Sequence, residues 1–236
     1  MPKLKNITKY YGKLMVFENF NLDIAEGKST VIMGISGVGK TTLLHLLAGI
    51  EGCSGEVECT LPISYVFQTP RLIEHLTVFE NLTYVLKNSG VEREKYEHEI
   101  LNALQLAGLL DKKNTPCCNL SGGQKQRVGL LRAFLYPSKT MLLDEPFNSL
   151  DVLLKVRLID LYRDLMRKNP RTAVFVSHDV DEALLIADEI IVLGHNCELE
   201  RIYLPAFENT RDLSNEVFVS ARKRIYDALL KSEYKN

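Results

Sequence analysis

Residues 34–42, Gly34-Ile35-Ser36-Gly37-Val38-Gly39-Lys40-Thr41-Thr42, restrict the folds open to this chain more than any other segment. The glycine spacing and the Lys-Thr ending satisfy the pattern of a phosphate-binding loop. The flanks supply the required context. Ser29-Thr30-Val31-Ile32-Met33 reads as a short strand buried on both faces, and Leu43, Leu44, Leu47 and Ala48 follow at helical spacing. Without a Cβ in the way, glycine backbone N–H groups can approach an anion closely. The start of the following helix adds its positive end to the same point. Gly34, Ser36, Gly37, Gly39 and Thr42 are therefore expected to line a nucleotide's phosphates. Lys40 is expected to reach the β- and γ-phosphates, and the Thr41 hydroxyl to sit on Mg²⁺.

The rest of the chain alternates strand and helix patterns. Residues 3–33 read as strand-rich, 40–48 as a helix, and 55–67 as one or two short strands. Helical patterns dominate from Thr77 to Leu110, Asn81-Leu82 and Glu94 to Leu106 being the best candidates. Another helix begins at Ser121, with Val128, Leu131 and Leu135 on one face. Thr140–Leu143, Ala173–Val176 and Glu189–Leu193 are three further buried strands. The segment from Leu153 to Arg167 is a helix with Leu154, Leu158, Leu161 and Leu165 as its stripe. The tail reads as one more helix, striped by Val217, Phe218, Ala221, Ile225, Ala228 and Leu229. Its Arg222-Lys223-Arg224 cluster is expected on a solvated face. Alternation of this kind argues for an α/β fold with a largely parallel sheet, interrupted by a helical block over about 75–135.

A phosphate loop needs a second strand that ends in an acid near the metal. Met141-Leu142-Leu143-Asp144-Glu145-Pro146 supplies it. Asp144 is expected to orient Mg²⁺ and its waters. Glu145, one residue on, is placed to face the γ-phosphate and polarise the attacking water.

Composition excludes several classes. The formal net charge of −1 does not suit a uniformly basic nucleic-acid binder. No run approaches the roughly 18 apolar residues of a membrane span, and no apolar leader follows Met1–Asn6. The expectation is a cytoplasmic chain that works at a membrane only through a partner. Cys53, Cys59, Cys117, Cys118 and Cys197 are odd in number and match no common zinc spacing, which reads as reduced thiols. A redox role for the Cys117-Cys118 pair is the lesser alternative.

Leu120-Ser121-Gly122-Gly123-Gln124 is a second glycine-bearing helix start with a serine hydroxyl, hence a second anion-ready site. Together with the phosphate loop and Asp144-Glu145, it closely resembles the signature of ABC-transporter ATPase subunits, and the resemblance spans about residues 3–195. It implies a single ABC ATPase domain over 1–236, of the P-loop NTPase kind. That domain would have a mostly parallel core sheet, an N-terminal antiparallel β-subdomain, the inserted helical subdomain and a tail over about 200–236. Two copies would pair head-to-tail, and Ser121, Gly122, Gly123 and Gln124 would meet ATP held by the other copy. Tyr11, with Tyr10 as rival, would stack on adenine. Gln68 would contact Mg²⁺ or the attacking water. Asn148-Ser149-Leu150-Asp151 would cross the dimer interface beside the nucleotide. His178 would sense the γ-phosphate and hold Glu145 in line. Residues Thr69 to Asn81 would contact membrane-spanning permease subunits.

Phe67–Ile73, Leu76–Asn81 and His178–Ala183 look like the bacterial nitrate, sulfonate and taurine importers. This implies an ATP- and Mg²⁺-dependent subunit on the inner face of the cell membrane, served by an extracytoplasmic solute-binding protein, with no nucleic-acid partner. A non-transport ABC ATPase and a non-hydrolysing ATP switch are the alternatives. Ile35 and Val38 depart from the family's usual proline and serine or cysteine, and the segment from Gly49 to Gln68 looks short for it. That shortness suggests a trimmed β-subdomain.

Overall fold

Apolar runs too short for helices become the central strands. In chain order the elements are β1 (Lys3–Tyr11), β2 (Leu14–Asp23), β3 (Ser29–Met33), α1 (Lys40–Leu47), β4 (Ser54–Glu58), β5 (Ile63–Val66), α2 (Val78–Leu86) and α3 (Arg93–Leu106). They continue with α4 (Gly122–Leu135), β6 (Thr140–Asp144), α5 (Val152–Lys168), β7 (Thr172–Val176), α6 (Val180–Ile186), β8 (Glu189–Leu193), β9 (Leu199–Tyr203) and α7 (Glu216–Glu233). This computed structural model describes residues 1–87, 93–148, 150–205 and 211–233, and the side chains of 93–96, 196 and 233 lie outside that description. The sequence reading of Ser149 falls on a residue outside it. The chain divides into two units, one of residues 1–63, 139–145 and 171–236, the other of 64–138 and 146–170.

In the first unit the strands run in the order β6-β7-β3-β8-β9. The first four are mutually parallel and every residue in them is buried. Burial on both faces explains why they read as continuous apolar runs rather than alternating ones. β9 closes the edge antiparallel to β8. No strand was expected there, because Glu200 and Arg201 interrupt the apolar pattern. Arg201 makes sense of it: its guanidinium bonds Glu189 Oε1 at 2.6 Å and the carbonyl of Asp23 at 2.8 Å. A second, antiparallel sheet has the order β2-β1-β4 and buries Leu4, Ile7, Phe17, Phe20 and Leu22.

The tail is helical, as the periodicity suggests, and α7 buries Phe218, Ala221, Ile225 and Ala228. Val217 is 49% exposed, because the helix turns it away from the stripe. The basic cluster is not simply solvated. Arg222 grips Asp181 in the first turn of α6 at 2.7 Å. Upstream, Arg211 is buried and donates to the carbonyls of Leu184 and Ala187, at 2.6 Å each, where α6 ends.

In the second unit, three side-chain caps fix three helix starts. Thr77 and Glu80 form a capping box on α2, Ser121 and Gln124 form another on α4, and Asp151 accepts from Leu154 N on α5. The buried face of α5 is Leu158, Ile159, Tyr162 and Arg163. This corrects the expected leucine stripe. Tyr162 packs on Phe134 of α4, with ring centroids 5.7 Å apart, and this rotates Leu154, Leu161 and Leu165 to half-buried positions.

Candidate active site

The phosphate loop leaves β3 at Gly34 and enters α1 at Lys40. Two of its glycines are required by the chain's own packing. Gly34 has φ +154°, and a Cβ there would lie 2.4 Å from the carbonyl oxygen of Leu193. Gly39 has φ +106°, and its Cβ would meet Val16 and Phe17 of β2 at 2.7 and 2.8 Å. The β2 strand therefore presses on the loop just before the helix, and only glycine fits between. Ser36, Gly37 and Thr41 are exposed, and Thr42 is half-buried one position on.

Lys40 folds back over the loop. Its Nζ donates to the carbonyls of Gly34 and Ile35, at 2.8 and 2.9 Å. Burial pushes this ammonium below the ordinary lysine value, while the negative charges of Glu145 and then Asp144 oppose the shift. The three charges share one electrostatic neighbourhood, as the loop pattern and the acid pair required.

Asp144 is the last residue of β6 and is only 3% exposed. Burial raises its carboxyl above the usual aspartate value, and a hydrogen bond from Thr41 offsets part of that rise. Thr41 and Asp144 are thus brought together as two hard oxygen donors at the mouth of the loop. Among the described residues no group of three or more His, Cys, Asp or Glu side chains gathers to hold a metal. Two donors fit Mg²⁺ nonetheless, because that ion takes one or two protein oxygens and completes its shell with phosphate and water.

Glu145 follows at φ +46°, a left-handed backbone for a residue with a Cβ. Its N–H donates to the carbonyl of Val176 at 3.0 Å, tying the turn to the end of β7. His178 stands two residues past that strand and is 62% exposed at the side chain, with Nδ1 3.5 Å from Glu145 Oε1. Asp179 caps α6 through Glu182 N, and its own N–H donates to Ser177 Oγ, so both flanks of the histidine are fixed.

Tyr11 ends β1 and is 44% exposed. Its hydroxyl donates to Glu51 and lies 3.4 Å from Thr42 Oγ1, so the ring is held beside α1. Tyr10 is also exposed, and no bond to α1 involves it among the described residues. Glu51 was not singled out in the sequence. Its partners Lys9, Tyr11 and His45 are scattered along the chain, and no local pattern announces them.

In the second unit, Ser121 is the N-cap of α4. Its N–H donates to Gln124 Oε1 at 2.9 Å, and its Oγ accepts from Gln124 N at 3.4 Å. The hydroxyl proton is not used by this cap. Among the described residues nothing lies within 4 Å of a Cβ built on Gly122 or Gly123, and neither has positive φ. The fold of this chain does not itself demand glycine there. Gln68 is exposed two residues after β5, and Asp151 is exposed while capping α5.

Two readings of this region need correction. Val78 and Asn81 are buried and cannot be surface contacts for a partner. The Asn81 amide is spent inside the unit, on the carbonyls of Ile73, Leu76 and Thr77 and on Cys117 Sγ. Cys117 is fully buried, and burial pushes its thiol up to about 11, which makes it an inert partner for Cys118.

Comparison with known proteins decides the lineage. A model of the ABC transporter family matches residues 17–148. The chain belongs to the ABC transporter family. It is an ATP-binding cassette, and its chemistry is ATP hydrolysis. It is 37% identical to an aliphatic sulfonates import ATP-binding protein, SsuB 1 of Pseudomonas syringae pv. tomato, over 96% of this chain and 82% of that one. It is 39% identical to the spermidine/putrescine import ATP-binding protein PotA of Pasteurella multocida, over 82% of this chain and 56% of that one. Among solved structures it resembles a dimeric post-hydrolysis state of an ATP-binding cassette bound to ADP and Pi. That match has a TM-score of 0.75 and 30% identity and covers 88% of this chain and all of the other. The cassette's architecture is the expected α/β one, with a mostly parallel sheet and an antiparallel N-terminal sheet. Among the described residues no helix is long and apolar enough to cross a membrane.

Proposed function

We propose that two copies of this cassette bind two MgATP head-to-tail and power a membrane-spanning importer of the nitrate, sulfonate and taurine type from its inner face. A solute-binding protein delivers cargo on the opposite side. The observation that carries the reading is the pairing of a glycine demanded by the fold with glycines that are not. Gly39 is forced by Val16 and Phe17, whereas a Cβ on Gly122 or Gly123 would meet nothing within 4 Å among the described residues. Bare backbone at a capped helix start suits a surface that another molecule's phosphates approach. The identity to an aliphatic sulfonate import protein supports the branch.

In this reading Lys40 leaves the carbonyls of Gly34 and Ile35 and turns to the β- and γ-phosphates. Thr41 and Asp144 hold Mg²⁺, with Gln68 as a further oxygen ligand by family resemblance. When bound, Mg²⁺ offsets phosphate charge and orients the terminal phosphate for in-line attack. Glu145 Oε1 takes a proton from the attacking water. His178 fixes that carboxylate and bonds the γ-phosphate. The Ser121 hydroxyl and the amides of Gly122 and Gly123 cover the same phosphate from the second copy. Asp151 and its loop line that interface, and Tyr11 stacks on the base.

Light scattering on Glu145→Gln with and without MgATP tests the reading. The expected result is a dimer that appears only with MgATP and is abolished by adding Ser121→Arg. If nucleotide still binds and the double variant dimerises as well, the site in trans is wrong. Reconstitution with a cognate permease then tests the direction of transport, and ATPase activity insensitive to a loaded solute-binding protein would exclude the importer.

A further inference from the structure

We propose that Glu51 is a positioning residue for nucleotide binding, its carboxylate holding the Tyr11 ring against α1 so that a purine base stacks on the ring face opposite Lys9. The proposal rests on the reading of Tyr11 as the base contact.

The geometry around Glu51 is specific. Tyr11 OH donates to one carboxylate oxygen, and Lys9 Nζ lies 2.9 Å from that same oxygen. His45 Nδ1 lies 2.8 Å from the other oxygen. Lys9 also donates to the carbonyl of Gly52 at 2.8 Å, and its ammonium sits 4.8 Å above the centre of the Tyr11 ring. One carboxylate thus joins the end of β1, the second turn of α1 and the segment just after that helix. These are the elements that carry Tyr11, Thr42 and His45. The Tyr11 bond is the largest cause that lowers the Glu51 carboxyl to about 2, ahead of the bonds from Lys9 and His45. The carboxylate therefore stays ionised in the physiological range and serves as a strong, fixed acceptor.

The functional consequence follows from exposure. Tyr11 is 44% exposed at the turn end of the β1–β2 hairpin, beside Gly12, where a ring without a tether samples several rotamers. Ordering such a side chain on binding weakens affinity, by roughly 2- to 10-fold for one rotamer-rich residue. The Glu51 tether meets that requirement in advance. Lys9, lying over one face, directs a base to the other and polarises the ring beneath it.

The test compares two ligands on the intact chain by titration calorimetry: MgATP, and magnesium tripolyphosphate, which lacks the base. Thermal unfolding of each variant confirms folding. Glu51→Ala is expected to weaken MgATP roughly 2- to 10-fold and leave tripolyphosphate unchanged. Glu51→Gln keeps an acceptor for the tyrosine hydroxyl and should restore most of the affinity. Tyr11→Phe should resemble Glu51→Ala, and combining the two should cost no more than either alone. In steady state the loss should appear in KM and not in kcat. Equal weakening of both ligands by Glu51→Ala would make Glu51 a structural brace and overturn the proposal. If Tyr11→Ala weakens MgATP but neither Tyr11→Phe nor Glu51→Ala does, the tether is refuted while the base contact stands. If Tyr11→Ala has no effect on MgATP, the base-contact reading falls and the proposal falls with it.

Discussion

Glu145 presents its Oε1 3.5 Å from Nδ1 of His178, and it does so from a backbone twisted to φ +46°. A side chain in this region costs roughly 1–2 kcal/mol against the right-handed alternative. The bond from Glu145 N to the Val176 carbonyl at the end of β7 holds it there. Strain at this position aims the carboxylate at its histidine. Glu145→Gly is therefore expected to raise the unfolding free energy by up to about 1 kcal/mol while ATPase activity falls about 10²- to 10⁴-fold. Urea denaturation and phosphate release measure the two effects. A destabilised glycine variant would show that the twist carries no strain.

His178 invites a simpler substitution. Its side chain is 62% exposed, so His178→Ala should shift stability by no more than about 0.5 kcal/mol. Turnover should fall by at least about 10²-fold, with nucleotide affinity retained. Near-normal turnover would leave Glu145 acting without it.

Asp144 gives a pH prediction. Its folded carboxyl lies above the ordinary aspartate value of 3.8, chiefly through burial. The folded state then binds this proton more tightly than the unfolded state, so ionisation costs stability as pH rises through the ordinary value and beyond. Asp144→Asn removes that cost. It should melt higher than the native chain at pH 7 without nucleotide, and the gap should close as pH falls below 3.8. Hydrolysis should be lost at every pH. A variant that melts lower at pH 7 would contradict the sign.

Glu51 has the opposite sign. Its carboxyl is lowered to about 2, the Tyr11 bond being the largest cause. Stability from this group is present above its ordinary value of 4.5 and drains away as pH falls toward 2. Glu51→Gln should therefore flatten the fall in melting temperature over that acid window. An unchanged slope would mean the carboxylate is not bonded as described.

Gly122→Ala and Gly123→Ala separate fold from function at the start of α4. Among the described residues each Cβ would meet nothing within 4 Å, and alanine favours a helix over glycine by roughly 0.5–1 kcal/mol. Both variants should be at least as stable as the native chain, and both should lose cooperative ATP hydrolysis. Full activity would mean that no phosphate approaches that surface.

What the sequence disclosed was local. The phosphate loop, the Asp144-Glu145 pair and the Ser121 cap are each written within a few residues, so their chemistry shows before any fold is known. Helix periodicity proved less reliable in α5. Four leucines suggested a stripe, but of these only Leu158 is fully buried, and the buried face also takes in Ile159, Tyr162 and Arg163. β9 was missed because its charges, Glu200 and Arg201, look wrong for a strand until Glu189 is seen beside it. Glu51 was missed because its meaning lies in Lys9, Tyr11 and His45, which only folding assembles.

The tail's grip on α6 reaches beyond packing. Arg222 holds Asp181 at the front of that helix and Arg211 closes its rear, and α6 begins two residues after His178. Trimming the chain near residue 205 would remove both clamps at once. A shortened cassette of that kind would lose turnover through a wandering histidine, and an assay on it would charge to the chemistry a fault that belongs to the scaffold.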